Sequence, residues 1–242
     1  MINPPPQPVE SIFARSWDLL SRNWIIIVPG IVIGIIMAVI ATMVVAPLGG
    51  QPTLADVAAR GPGMAIAACL SFLAYVATQA YTIGMAGAAW ERGTATLADG
   101  SRSLSEDAGR IVVTTLGLFL VWIVAGILAL FTLGLSLVAC GIFTIYALPS
   151  AIIGNRDGFA SIAESFRIAR MRFVPTLILV IVLVVVSVGM SLLTVPFALV
   201  PFLGPVIAAV VQQAVVAFVT LCVVGEYLNL RDSAALAPPA RP

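Results

Sequence analysis

Residues 111–153 read IVVTTLGLFLVWIVAGILALFTLGLSLVACGIFTIYALPSAII, without one charged side chain. A helix crossing a bilayer needs about 20 apolar residues at about 1.5 Å of rise each, so this stretch is too long for one crossing. Two crossings fit if Thr132-Leu133-Gly134 forms a tight turn between Ile111–Phe131 and Leu133–Ile153. On either side lie four more apolar stretches of spanning length, Trp24–Pro47, Met64–Trp90, Val174–Val195 and Leu203–Leu228. None has a charge near its centre, where an Arg or Asp would cost about 2.5–3.5 kcal/mol.

The arginines decide between five crossings and six. The chain has twelve cationic residues, all arginine, and no His. With six crossings, Arg15, Arg22, Arg92, Arg102, Arg110, Arg156, Arg167, Arg170, Arg172, Arg231 and Arg241 share one side, and only Arg60 lies opposite. A single crossing over residues 111–153 would split them into five and seven and erase the bias. The positive-inside rule therefore predicts six helices, a multi-pass protein of the inner (cytoplasmic) membrane with both termini cytoplasmic. The start Met1-Ile2-Asn3-Pro4-Pro5-Pro6 lacks the basic region of a signal peptide, so the first crossing is expected to remain as an anchor.

Composition agrees with this class. Hydrophobic residues make up 61% and charged residues 10%, and mean hydropathy is +1.12, far from a soluble domain. A net charge of +1 argues against nucleic acid as a partner, which would require a clustered excess of basic residues. Cys69, Cys140 and Cys222 sit in apolar runs, where a thiol acts as a small hydrophobe; without His, no metal or cofactor is expected. Residues 1–9 and 232–242, rich in Pro and Ala, read as disordered tails around a membrane domain over 10–231. The loop Gly49–Gly63 reads as a flexible connection on the far side, and Pro196–Phe202 as an apolar, proline-broken segment at the interface.

An internal repeat is the second signal. Phe13, Trp17, Leu20 and Trp24 before the first crossing match Ile162, Phe166, Ala169 and Phe173 before the fifth at a constant offset of 149. Steps of four, three and four line one helix face. Asp157 is placed to cap the second copy. A weaker third copy has Leu97, Leu104, Ala108 and Ile111, with Ser103 and Glu106 spaced as a capping box. The predicted fold is an all-α integral membrane protein of six transmembrane helices as three hairpins, each preceded by a cytoplasmic interfacial helix.

Ile162-Ala163-Glu164-Ser165-Phe166-Arg167, Arg172-Phe173 and the ending Tyr227-x-x-Leu230-Arg231 resemble the six-helix membrane domain fused to some bacterial glycerophosphoryl diester phosphodiesterases, also found in stand-alone bacterial membrane proteins. The resemblance covers most of residues 10–231 and implies a membrane module. The fused catalytic domain is absent, and without His its metal chemistry does not carry over.

No catalytic constellation is present: no nucleophile elbow, no phosphate-binding loop, and eleven scattered carboxylates. The chain is therefore read as non-enzymatic. Gln79, Gln212 and Gln213 are the polar candidates within crossings, either bridging helices or lining a cavity. Glu91 and Glu226, beside Trp90 and Tyr227, read as solvated anchors, and Gly30 and Gly34 as a helix-packing motif. Leu177–Val186 reads as a lipid-facing surface. Arg15, Arg22, Arg167, Arg170 and Arg172 are candidates for an anionic cytoplasmic leaflet. The preferred reading is a module organising lipids or a membrane protein partner; the alternatives are a passive transporter or channel for a small solute or lipid, and a membrane-embedded lipid enzyme.

Overall fold

The computed structural model describes residues 7–45, 54–194, 196 and 203–231. Among these the chain is helical, with no strand. The order is α1 (Val9–Arg22), a 3-10 turn (Trp24–Ile27), α2 (Val28–Val45), α3 (Leu54–Arg92), α4 (Leu97–Glu106), α5 (Ala108–Thr132), α6 (Leu135–Thr144), α7 (Ala147–Ile152), α8 (Gly158–Met171), α9 (Phe173–Thr194) and α10 (Leu203–Arg231). Five stretches are long and apolar enough to cross a membrane: Ala68–Arg92, Ala108–Thr132, Leu135–Ile152, Phe173–Thr194 and Val206–Arg231. A sixth is Val9–Arg22 taken with Trp24–Met37, a pair bent by 88°.

The 149-residue repeat is a repeat of backbone as well as of sequence. Helices α1 and α8 each have 14 residues and begin 149 positions apart, after extended residues Pro8 (φ −66°, ψ 147°) and Asp157 (φ −79°, ψ 135°). They end at matching positions, Asn23 (φ −121°, ψ 49°) and Arg172 (φ −123°, ψ 44°). Asp107 (φ −106°, ψ 9°) makes the same one-residue break between α4 and α5. At each break the N–H still reaches the carbonyl four residues back: Asn23 to Leu19 (2.9 Å), Asp107 to Ser103 (3.1 Å), Arg172 to Ile168 (2.9 Å). Short helix, break and long apolar helix thus occur three times.

The buried stripe is shifted by one residue from the apolar one. In α1 the buried positions are Ile12, Ser16, Leu19 and Leu20, and their counterparts Ser161, Ser165, Ile168 and Ala169 are buried in α8. Trp17 and Trp24 remain 66% and 67% exposed. Hydropathy alone reports one broad apolar face, whereas the helix divides it: small residues allow close approach to protein, and aromatic rings point outward.

Packing joins the three repeats in a ring. The long helices pack as α2 with α3, α5 with α6, and α9 with α10, while α3, α7 and α10 also touch one another. Helix α4 lies on α3, α8 on α6 and α7, and α1 on α10. The first short helix therefore closes onto the last long one. Leu179 and Leu183 of α9 are buried beside Val223 and Tyr227, so Leu177–Val186 is only partly an outward surface; its other face packs on α10.

Local sequence explains the remaining turns and breaks. Leu133 (φ 50°) and Gly134 (φ 85°) are both left-handed and turn the chain between α5 and α6; Ser136 donates to the Ala125 carbonyl (2.7 Å) across that turn. The expected crossing Leu133–Ile153 is split at Ile145–Tyr146, because Pro149 has no N–H for the Ile145 carbonyl. Ser165 repairs the gap: its Oγ accepts from Tyr146 N–H (3.1 Å) and donates to the Phe143 carbonyl (2.7 Å). Helix α3 runs 39 residues and begins at Leu54, inside the expected far-side loop; alanines at 55, 58, 59, 65, 67 and 68 favour helix strongly enough to carry it through Pro62. The capping box of α4 is Thr96 with Asp99, not Ser103 with Glu106; Glu106 instead pairs with Arg102 (2.8 Å). Asp157 stands at the start of α8 but makes no side-chain cap. Residues 197–202 and 232–242, and most of the expected N-terminal tail, lie outside the described residues, although Val9 already belongs to α1.

Ser165→Ala leaves the buried Tyr146 N–H without its partner. It is expected to destabilise the protein by about 1–3 kcal/mol, read as a lowered Tm in detergent; an unchanged Tm would show that the helix break does not depend on Ser165.

Candidate functional site at the arginine-rich end

Every arginine whose side chain is described lies on α1, α4 or α8, at the adjoining end of a long helix, or, as Arg156 and Arg172 do, in the short connections at the ends of α8. This end is where polar side chains are shared between repeats. Asn23 Nδ2 donates to the Gly93 carbonyl (3.1 Å) and its Oδ1 accepts from Ala95 N–H (2.8 Å), fixing the first break to the entrance of α4. Arg110, held by Asp107 (2.6 Å), reaches Asn155 (2.7 Å) and Asp157 (3.2 Å), fixing the second break to the entrance of α8. Asn229 Oδ1 accepts from Gln7 N–H (2.8 Å) and its Nδ2 donates to the Gln7 carbonyl (3.2 Å), fixing α10 to the entrance of α1.

Ion pairs follow the same repeat. Arg92, ending α3, pairs with Asp99 on α4 (2.6 Å), and Arg156, beyond α7, pairs with Glu164 on α8 (2.7 Å). Asp99 and Glu164 both stand eight residues before their breaks. At that register α1 has Arg15, whose guanidinium lies 4.5 Å from the Trp90 ring centroid and donates to the Trp90 carbonyl (3.1 Å). Trp90 is fixed in turn: its Nε1 donates to the Leu221 carbonyl (2.8 Å), and a Cβ at Gly225 would overlap its ring. Burial pushes the Asp99 carboxyl up, but hydrogen bonds from Arg92 and Thr96 outweigh it and hold the group below the usual aspartate value. For Asp107 burial prevails over Arg110 and raises the carboxyl.

Glu226 is the largest departure from the sequence reading. Expected as a solvated anchor like the exposed Glu91, it is 1% exposed, with Asn229 Nδ2 donating to its Oε2 (3.1 Å). The neighbouring Tyr227 is buried and donates to Glu164 (3.3 Å). A glutamate close to a terminal Tyr and Arg looks like boundary chemistry in one dimension; only the approach of α1 and α9 encloses it. Asn23 and Asp99 were not singled out by sequence, and Trp90, Arg156 and Glu164 were noted there only for their positions and not for these contacts.

The predicted leaflet arginines separate into two environments. Arg167 and Arg170 are exposed on α8, beside Phe159 and Phe166, which lie seven residues apart on the same face and are themselves exposed. Phe166 stacks on Phe143 (5.3 Å, 13°). Arg22 is exposed but paired with Asp18 (2.9 Å), Arg15 is engaged with Trp90, and Arg172 is half-buried at its break. The glutamines are in different places: Gln79 is half-buried on α3, Gln212 is exposed on α10, and Gln213 is half-buried where a Cβ on Gly30 of α2 would overlap it. Gly30 thus admits α10, while Gly34 faces open space. A polar cleft of about 370 Å³ is lined by Arg102, Asp107, Arg110, Ile152 and Asn155. The described cysteines are all free.

The class defined by this architecture is an all-helical, multi-pass membrane protein with five or six stretches of spanning character. No known protein family, curated protein or solved structure matches the chain.

Asp99→Asn tests the ion-pair repeat. Because the native carboxyl is lowered, its contribution is fully present above the ordinary value of 3.8 and is lost as pH falls through the native value. The variant is expected to unfold more readily than wild type at neutral pH, and the two denaturant midpoints to converge in strong acid; a constant gap at all pH values would contradict the assignment.

Proposed function

We propose that this chain is a non-enzymatic module of the inner membrane that gathers anionic lipid, or a partner presented with it, at the cytoplasmic leaflet. In this reading the long helices form three transmembrane hairpins, and α1, α4 and α8 lie in the cytoplasmic interface with both termini on that side. The positive-inside distribution of arginines supports the orientation. The resemblance to the stand-alone six-helix membrane domains is in keeping with it.

The observation that carries the proposal is the outer face of α8. Exposed Phe159 and Phe166 sit beside exposed Arg167 and Arg170, the pairing of apolar rings with guanidinium groups suited to the headgroup boundary. Helix α1 has the matching aromatics Trp17 and Trp24 but Asp18 and Ser21 at the positions of Arg167 and Arg170. The two copies therefore share an interfacial seat, and α8 alone adds unpaired basic character. Gln213, packed at Gly30, favours helix bridging over a solute path for the glutamines.

In nanodiscs of mixed phosphatidylcholine and phosphatidylglycerol, the wild-type protein is expected to retain phosphatidylglycerol above its bulk share after delipidation. Each of Arg167→Gln and Arg170→Gln should lower that preference by up to about fivefold, for about 1 kcal/mol per surface arginine, whereas Arg22→Gln should change it little. Equal retention by wild type and the double variant would overturn the proposal.

A further inference from the structure

Between the start of α1, the start of α9 and the last turns of α10 lies a cavity of about 310 Å³, lined by Gln7, Glu10, Arg172, Pro175, Ile178 and Glu226, with Pro8 and Val9 completing it. Its chemistry is unlike the rest of the arginine-rich end. Glu226 is almost fully buried and receives one hydrogen bond, from Asn229, while a carboxylate has about four acceptor sites. Arg172 attracts Glu226 electrostatically but forms no ion pair with it within 4.0 Å. A buried carboxylate with no ion pair is costly unless further donors compensate it.

From the two carboxylates and the separated guanidinium we infer that this cavity binds a primary-ammonium phosphate ester, the chemistry of a phosphoethanolamine headgroup. A primary ammonium has three N–H donors, and Glu226, Glu10 and the Gln7 amide oxygen supply acceptors in this lining. Arg172, in the same lining and not ion-paired to Glu226, supplies a fork of donors for the phosphate oxygens. A trimethylated ammonium has no N–H to give and binds best in a cage of aromatic rings; no lining residue is aromatic. A glycerol headgroup brings the anion without the cation and leaves the glutamates uncompensated. Apolar Val9, Pro175 and Ile178 form the remaining wall, and Ile178 is exposed on α9, which provides an outlet for acyl chains. The site is separate from the outer face of α8 and does not depend on its role.

The test uses the full chain in phosphatidylcholine nanodiscs containing phosphatidylethanolamine as a minor component, with retained lipid identified by native mass spectrometry, and phosphoethanolamine titrated calorimetrically in detergent. Retention of phosphatidylethanolamine about tenfold above its bulk share, lost in Glu226→Gln and weakened in the exposed-site variant Glu10→Gln, supports a lipid ligand. Saturable phosphoethanolamine binding without lipid retention, sensitive to the same variants, supports the same chemistry in a soluble ester. If Glu226→Gln fails to fold, Glu10→Gln and Arg172→Gln carry the comparison. Equal retention of phosphatidylethanolamine and phosphatidylcholine with no phosphoethanolamine binding, or binding indifferent to all three substitutions, overturns the inference.

Discussion

At Asn23 the chain turns by 88° between two helices, and the polar groups exposed by that turn must be satisfied within one residue and its neighbours. In an apolar surrounding an unmet backbone group costs several kcal/mol. The solution is shared across the molecule: the break keeps its own N–H bonded four residues back, and its side chain meets the loop that opens the next repeat. Asp107 uses Arg110 for the same purpose, and Asn229 joins the last helix to Gln7. Each repeat is thereby fastened to the one that follows, and the third is fastened to the first.

This arrangement accounts for the small and polar residues that hydropathy passes over. Ser16 and Ser165 are fully buried because a short helix must lie close to a long one; Gly100, the counterpart in α4, gives the same clearance to the Tyr81 ring. Where the partner helix is itself broken, the serine gains a second task, as Ser165 does at Tyr146. Arg92 with Asp99 and Arg156 with Glu164 then bind the end of one repeat to the start of the next. The junction of third and first repeats differs, with Arg15 turned to Trp90 and Glu226 beside a cavity.

Much of the helical plan was legible from sequence, and the reasons are physical. Apolar length marks spanning segments because each residue adds a fixed rise, and the Thr132-Leu133-Gly134 turn was visible as the one interruption in a charge-free run. The offset of 149 survived into matching helix ends because local capping depends on nearby residues. What sequence could not reveal was which apolar face meets protein: Trp17 and Ile12 are both hydrophobic, yet one is outward and the other buried. Glu226 was read as solvated for a related reason, since its burial is imposed by helices distant in sequence. Pro149 could have signalled the break at Tyr146; a length count that treats an apolar run as uniform conceals it.

Closure of α1 onto α10 is the claim on which the other junctions rest. Ser16 lies within interaction range of the Cys222 thiol, so Ser16→Cys in a Cys69→Ala, Cys140→Ala background places two thiols at that contact. The account predicts that copper–phenanthroline with dioxygen as the electron acceptor rapidly oxidises the pair to an intramolecular disulfide in native membranes, identified by the linked peptides in mass spectrometry, with no such bond from the outward position in Trp17→Cys. Free reactivity of both thiols in the Ser16→Cys protein, without a linked peptide, would contradict a ring closed by its first and last helices.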